Sequence, residues 1–185
     1  MFQQAAKIAL GIFVGGVGVW AAGKSSETPG KNAFTCIFKK KVVPQTGSVM
    51  MVSLAATCEH TGIYLGDGKI AEVNSSGKII EASYEKFTEG LSIGYMIYCA
   101  VNKEGKPVCD EKWADRARSK LNSGVKYNPI RPKPEKNEIN CHNFVISCIQ
   151  DNFNDNTACY FRELDGILRS KGFDHWQPVW HKILK

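Results

Sequence analysis

One cysteine and one histidine of this chain stand in local contexts that suit nucleophilic catalysis. Cys141 follows Asn140, a good helix N-cap, and apolar residues then recur at helical spacing from Phe144. Cys141 is therefore expected in the first turn of a helix, where backbone N–H groups and the helix dipole favour a thiolate. His60 is the predicted base, which would take the thiol proton and later protonate the leaving group.

A predicted hairpin positions the histidine. The apolar residues after His60 lead into the tight-turn signal Gly66-Asp67-Gly68, and a second apolar run follows at Lys69–Val73. This pattern places His60 at the start of one strand and Glu72 on its neighbour. The Glu72 carboxylate would then orient the His60 ring and stabilise the imidazolium that forms during transfer.

Two further residues are candidates for contacts with the substrate. The backbone N–H of Cys141 is expected in an oxyanion hole, with a second donor from Tyr127 and with Asn140 close by. His142 adjoins the cysteine, but neighbouring helical side chains diverge by about 100°. His60 is therefore predicted as the base in preference to His142.

Periodicity and turn signals predict the remaining elements. Strands are expected at residues 48–54, 61–65, 69–73, 78–83 and 93–101, and helical segments at 83–87, 110–122, 141–149 and 160–170. A loop rich in proline and lysine at residues 128–138 precedes the cysteine. An antiparallel sheet of about five strands is expected to pack against the helix that carries Cys141.

The types and order of these motifs resemble the lecithin:retinol acyltransferase family, the permuted branch of the NlpC-type, papain-like superfamily. The motifs that carry the resemblance are residues 44–49, residues 60–70, Glu72, Tyr127-Asn128 and Asn140-Cys141 with Phe144. The resemblance implies an α+β domain of the permuted papain-like fold. Two departures concern Glu72, where animal members usually have histidine, and His142-Asn143, where the family has Glu-His.

By resemblance, the expected activity is thiol acyl transfer from a glycerophospholipid ester. Cys141 would form an acyl-enzyme and pass the acyl group to water, as a phospholipase A does, or to an amine or alcohol, as an acyltransferase does. Two alternatives stay open. One is a cysteine amidase or peptidase acting on peptidoglycan or isopeptide bonds, similar to NlpC-type relatives, and the other is a non-catalytic membrane-associated module.

The chain is predicted to comprise a leader, a linker and one domain. Residues 1–23 form a hydrophobic signal peptide or membrane anchor, residues 24–33 a polar linker, and residues 34–185 the acyltransferase-like domain. The uncharged stretch 8–22 would span about 22 Å as a helix, less than the ~30 Å hydrocarbon core of a bilayer. The expected location is membrane-associated or exported, and a cytoplasmic one stays open.

The formal net charge of +6 and the run Lys39-Lys40-Lys41 fit binding to an anionic partner such as a membrane surface. Runs of this kind are, however, usually solvated charges in a loop. The expected partners are a phospholipid or other acyl substrate and a membrane surface. Nucleic acid is not expected, because aromatic residues do not alternate with the basic ones. The sequence leaves the oligomeric state open.

Seven cysteines are many for a chain of this length. Apart from Cys141, they form an even number that could pair in an oxidising compartment. Alternatively, Cys99 and Cys148 are small buried core residues, because both lie in apolar stretches. Metal-ligand spacing is absent from the sequence, so neither a metal nor another cofactor is predicted. His175 and His181 are expected to be packing or surface residues.

Overall fold

The computed structural model describes residues 40–55, 58–89, 96–128, 138–154 and 160–179. Its strands are β1 (Val49–Ala55), β2 (Cys58–Gly66), β3 (Lys69–Val73), β4 (Ile79–Ser83), β5 (Ile97–Val101), β6 (Lys126–Tyr127), β7 (Glu138–Ile139) and β8 (His175–Pro178). Its helices are α1 (Tyr84–Phe87), α2 (Glu111–Ser119), α3 (Cys141–Gln150) and α4 (Phe161–Ser170). The predicted α+β class with an antiparallel sheet is confirmed.

Six strands form one antiparallel sheet in the order β4-β3-β2-β1-β5-β8. The prediction of about five strands missed β8, which pairs with β5 through partners such as Trp176 and Ala100. It also missed the short parallel pair β6–β7, in which Tyr127 lies opposite Ile139. Both pairings join segments distant in sequence, so local periodicity gave no signal for them.

The hairpin between β2 and β3 follows the sequence prediction. Its two-residue loop, Asp67-Gly68, has φ angles of 49° and 72°, and Gly66 pairs with Lys69 on either side. Two successive positive φ angles match the twist of antiparallel strands, which explains the preference for Asp-Gly at this place. The turn fixes the register that sets β3 beside β2.

Side chains on the two faces of the sheet enter two separate cores. Ile63 packs with Phe144 and Leu164 on the face covered by helices, whereas the adjacent Tyr64 packs with Met50 and Phe87 on the opposite face. Every residue of α3 from 141 to 149 is buried. The helix that begins at Cys141 is therefore held on all sides, which limits movement of its first turn.

Helix α2 ends earlier than predicted. Asp110 caps it as expected, but the helix stops at Ser119 instead of continuing to Asn122. The N–H of Asn122 donates to the carbonyl of Ile79 over 2.8 Å, and Asn122 has a φ of 66°. Backbone hydrogen bonding to β4 thus competes with the last helical turn.

Several predictions fall outside the described residues. They concern the leader at residues 1–23, the linker at 24–33, Cys36, Cys159, His181 and the side chain of Cys58. None of the helices in the described ranges is both long and apolar enough to cross a lipid bilayer.

Candidate active site

The first turn of α3 presents Cys141 to the sheet. Asn140 caps the helix, because its Oδ1 accepts a hydrogen bond of 2.8 Å from the N–H of Asn143. Cys141 is 5% exposed, and its Sγ lies 3.9 Å from the carbonyl oxygen of Glu59 on β2. In this position the sulfur lies against β2 at the residue before His60.

His60 lies between a carboxylate and the thiol. Its Nε2–H donates a hydrogen bond to Oε2 of Glu72 on β3, and the Cys141 thiol interacts with the same ring. Because Nε2 is used by Glu72, Nδ1 is the ring nitrogen left for the sulfur. The ring of Phe87 packs against the His60 ring with centroids 4.9 Å apart. Cys141, His60 and Glu72 therefore form a connected series, brought together from α3, β2 and β3.

The ionisation of Cys141 differs from that of other buried thiols in the chain. Burial raises the pKa of Cys99 to about 12, and it raises the pKa of Cys148 as well. Burial also opposes ionisation of Cys141, yet the neighbouring His142 and His60 hold the pKa of this thiol well below its usual range. The contrast shows that histidine partners, and not burial, decide which cysteine forms a thiolate.

The charge of His60 is stabilised from both sides. Burial would lower the pKa of His60, but the hydrogen bonds and charges of Cys141 and Glu72 outweigh it and raise the pKa from 6.5 to about 10. The two shifts together favour a thiolate on Cys141 beside an imidazolium on His60. Such a pair holds an ionised nucleophile and keeps a proton ready for a leaving group.

His142 lies closer to the sulfur than the sequence suggested. The divergence of neighbouring helical side chains was the reason for preferring His60 as the base. Nδ1 of His142 nevertheless lies 3.8 Å from Sγ of Cys141 and 3.0 Å from Oγ1 of Thr61 on β2. The choice of His60 as the base stays a prediction.

The two weaker candidates lie at the same end of α3. Tyr127 is half-buried on β6 and pairs with Ile139, the residue before Asn140. Beside it, the buried carboxylate of Glu138 accepts from Nζ of Lys126 at 3.0 Å and from Nδ2 of Asn128 at 2.9 Å. These contacts anchor β6 to β7 next to Cys141. The roles of Tyr127 and Asn140 in an oxyanion hole stay predictions.

Neither a family model nor a curated protein matches this chain.

Two other cysteines and one other histidine in the described ranges also carried predictions. Cys99 and Cys148 are fully buried free thiols, which confirms the prediction that they are core residues. His175 is exposed and pairs with Asp174, as expected for a surface residue. Within the described ranges, no three side chains of His, Cys, Asp or Glu are grouped to hold a metal ion.

A cleft of about 520 Å³ lies elsewhere, near the other end of α3. Its lining includes Cys109, Lys112, Arg116 and Ile149, and none of the candidate site residues borders it. Burial raises the pKa of the Cys109 thiol, so this cysteine is a poor nucleophile.

Proposed function

We propose that this protein is a cysteine-dependent acyl-transfer enzyme of the permuted papain-like fold, and that it acts on phospholipid esters. The observation that carries the proposal is the series Cys141–His60–Glu72, in which a thiol at a helix N-terminus meets a histidine held by a carboxylate. The order of the motifs, with histidine first and cysteine later, supports the same family.

The proposed reaction has two steps. The Cys141 thiolate attacks the ester carbonyl carbon, and the tetrahedral oxyanion collapses as the imidazolium of His60 gives its proton to the departing alcohol. The product of this step is a thioester on Cys141 and a lysophospholipid. Water, an amine or an alcohol then gives its proton to His60 while attacking the thioester, which releases the acyl group and restores the thiolate.

Helix geometry supplies one oxyanion donor. The first N–H groups of an α-helix have no partner within the helix, and the N–H of Cys141 is the first of α3. The positive end of the helix dipole also stabilises negative charge at this place. Tyr127 is the proposed second donor. Glu72 stabilises the imidazolium and fixes the ring of His60 without contacting the substrate.

Product analysis on two substrate classes tests the proposal. We expect the full chain to release fatty acid and lysophospholipid from phosphatidylcholine vesicles, or to transfer the acyl group to an added amine. Cys141→Ala is the inactive control, and Cys109→Ala the matched active one. If peptidoglycan fragments are cleaved and the phospholipids of the vesicles are not, the amidase alternative is favoured. If neither substrate changes, the chain is a non-catalytic module and the proposal is wrong.

A further inference from the structure

His142 is a buried titratable side chain that the proposed acyl transfer does not use. It is 8% exposed, and three elements hold its ring. Its Nδ1 lies 3.0 Å from Oγ1 of the fully buried Thr61 on β2, and its ring packs on Phe161 of α4 with centroids 5.6 Å apart. From its own helix, Sγ of Cys141 lies 3.8 Å from the same Nδ1. A histidine fixed in this way holds one nitrogen toward the nucleophile.

A thiolate at Cys141 would require a second hydrogen-bond donor in these surroundings. The carbonyl oxygen of Glu59, 3.9 Å from Sγ, turns negative partial charge toward a thiolate. The titratable side chains that act on the sulfur are His60 on β2 and His142 itself. Glu72 on β3 is hydrogen-bonded to His60, and Phe161 of α4 packs an uncharged ring on His142. A buried thiolate with one donor would be poorly compensated, since buried charges require hydrogen-bonded partners.

We propose that His142 is a positioning residue for the nucleophile: its Nδ1–H, held by the Thr61 hydroxyl oxygen, donates a second hydrogen bond to the sulfur of Cys141. The inference rests on the proposed role of Cys141. In this arrangement Thr61 selects the tautomer of His142 that carries hydrogen on Nδ1. That hydrogen is then shared between two acceptors, Oγ1 of Thr61 and Sγ of Cys141. The thiolate is supported by His142 on one side and by His60 on the other, while His60 alone transfers protons.

The pH dependence of Cys141 alkylation by iodoacetamide tests this inference without any substrate. Peptide mass spectrometry would follow Cys141 separately from the other thiols. We expect His142→Phe, which keeps a ring and removes the donor, to shift the midpoint of alkylation to higher pH. At pH values below both midpoints, a shift of one unit lowers the rate roughly tenfold. Thr61→Val, of similar size, should shift the midpoint in the same direction by less.

Two variants serve as controls. His142→Asn places an amide N–H near the position of Nδ1 and should keep most of the low midpoint, a rescue that a purely structural role would not require. His175→Phe alters an exposed histidine on β8 and should give the wild-type curve. Thermal melting establishes that each variant is folded, and Thr61→Val with His142→Asn decide the matter if His142→Phe does not fold.

The failures of the two proposals can be told apart. A wild-type midpoint near that of an ordinary cysteine would contradict the proposed nucleophile itself, and with it this inference. A low wild-type midpoint that stays unchanged in folded His142→Phe and Thr61→Val would overturn the role of His142 alone. A midpoint shifted to higher pH in His142→Phe and in Thr61→Val, together with a low midpoint in His142→Asn, supports the role of His142.

Discussion

Nε2 of His60 is hydrogen-bonded to Oε2 of Glu72 across the hairpin that joins β2 to β3. Both side chains are largely buried, with 12% and 6% of their surfaces exposed. A buried carboxylate that meets a histidine has its strongest effect on the charged form of the ring, because screening by water is weak. This contact therefore links the register of a hairpin to the ionisation of a thiol on a separate helix.

The first prediction concerns the pH dependence of turnover. Activity should rise as Cys141 ionises, at a pH well below the usual range of a thiol, and fall as His60 loses its proton with a pKa of about 10. Glu72→Gln removes a charge that raises the pKa of His60, so the alkaline limb should move to lower pH. The profile of kcat/KM for both proteins measures this. An alkaline limb that does not move would contradict the role of Glu72.

His60→Ala should nearly abolish turnover, with a loss of roughly 10²- to 10⁴-fold, because the variant lacks both the base that deprotonates the thiol and the acid that protonates the leaving group. Adding Glu72→Gln should lower the rate little further, since Glu72 acts through His60. The single variant also leaves a buried carboxylate unpaired, so the double variant should recover stability in thermal melting. Independent, multiplicative losses in rate would show that the two residues do not act as a unit.

Gly62→Ala should destabilise the hairpin that carries the histidine. A Cβ at this position would lie 2.6 Å from the carbonyl oxygen of Ala71 and 2.7 Å from a methyl of Ile70, so β2 and β3 would have to separate. We expect a loss of roughly 1–3 kcal/mol in the free energy of unfolding, together with weaker activity. Denaturant titration provides the measurement.

Gly166→Ala is the matched control, because a Cβ there meets nothing within 4 Å in α4. It should stabilise the protein by up to about 1 kcal/mol through helix propensity. Equal effects of the two substitutions would mean that the close approach at Gly62 is unimportant.

Asn140→Ala should loosen the first turn of α3. The variant loses the hydrogen bond that the N–H of Asn143 donates to Oδ1 of Asn140, at a cost of about 1 kcal/mol in unfolding free energy. Asn140→Ser keeps a capping oxygen and should retain most of the stability and the rate of Cys141 alkylation. If both variants react like the wild type, the cap does not position the cysteine.

The local parts of the site could be predicted from the sequence. The Asp-Gly turn specifies the hairpin that brings Glu72 to His60, and the Asn140 cap specifies where α3 begins, because both signals act within a few residues.

The parts that depend on distant segments could not be predicted. β8 forms by pairing with β5, and α2 ends early because Asn122 bonds to β4. The position of the His142 ring depends on Thr61, a residue of β2 whose proximity to α3 is a tertiary property. The divergence of about 100° between neighbouring helical side chains gave no sign of this contact.

The central claim is that Cys141 carries the acyl group, and intact-protein mass spectrometry after exposure to phosphatidylcholine vesicles tests it most directly. The account predicts a mass increase of one acyl chain, located on the peptide containing Cys141 and removed by hydroxylamine, as expected for a thioester. Cys141→Ala and His60→Ala should show no adduct, whereas Cys109→Ala should show the full one. An acyl adduct that persists in folded Cys141→Ala, or its absence from active wild-type protein, would contradict the account.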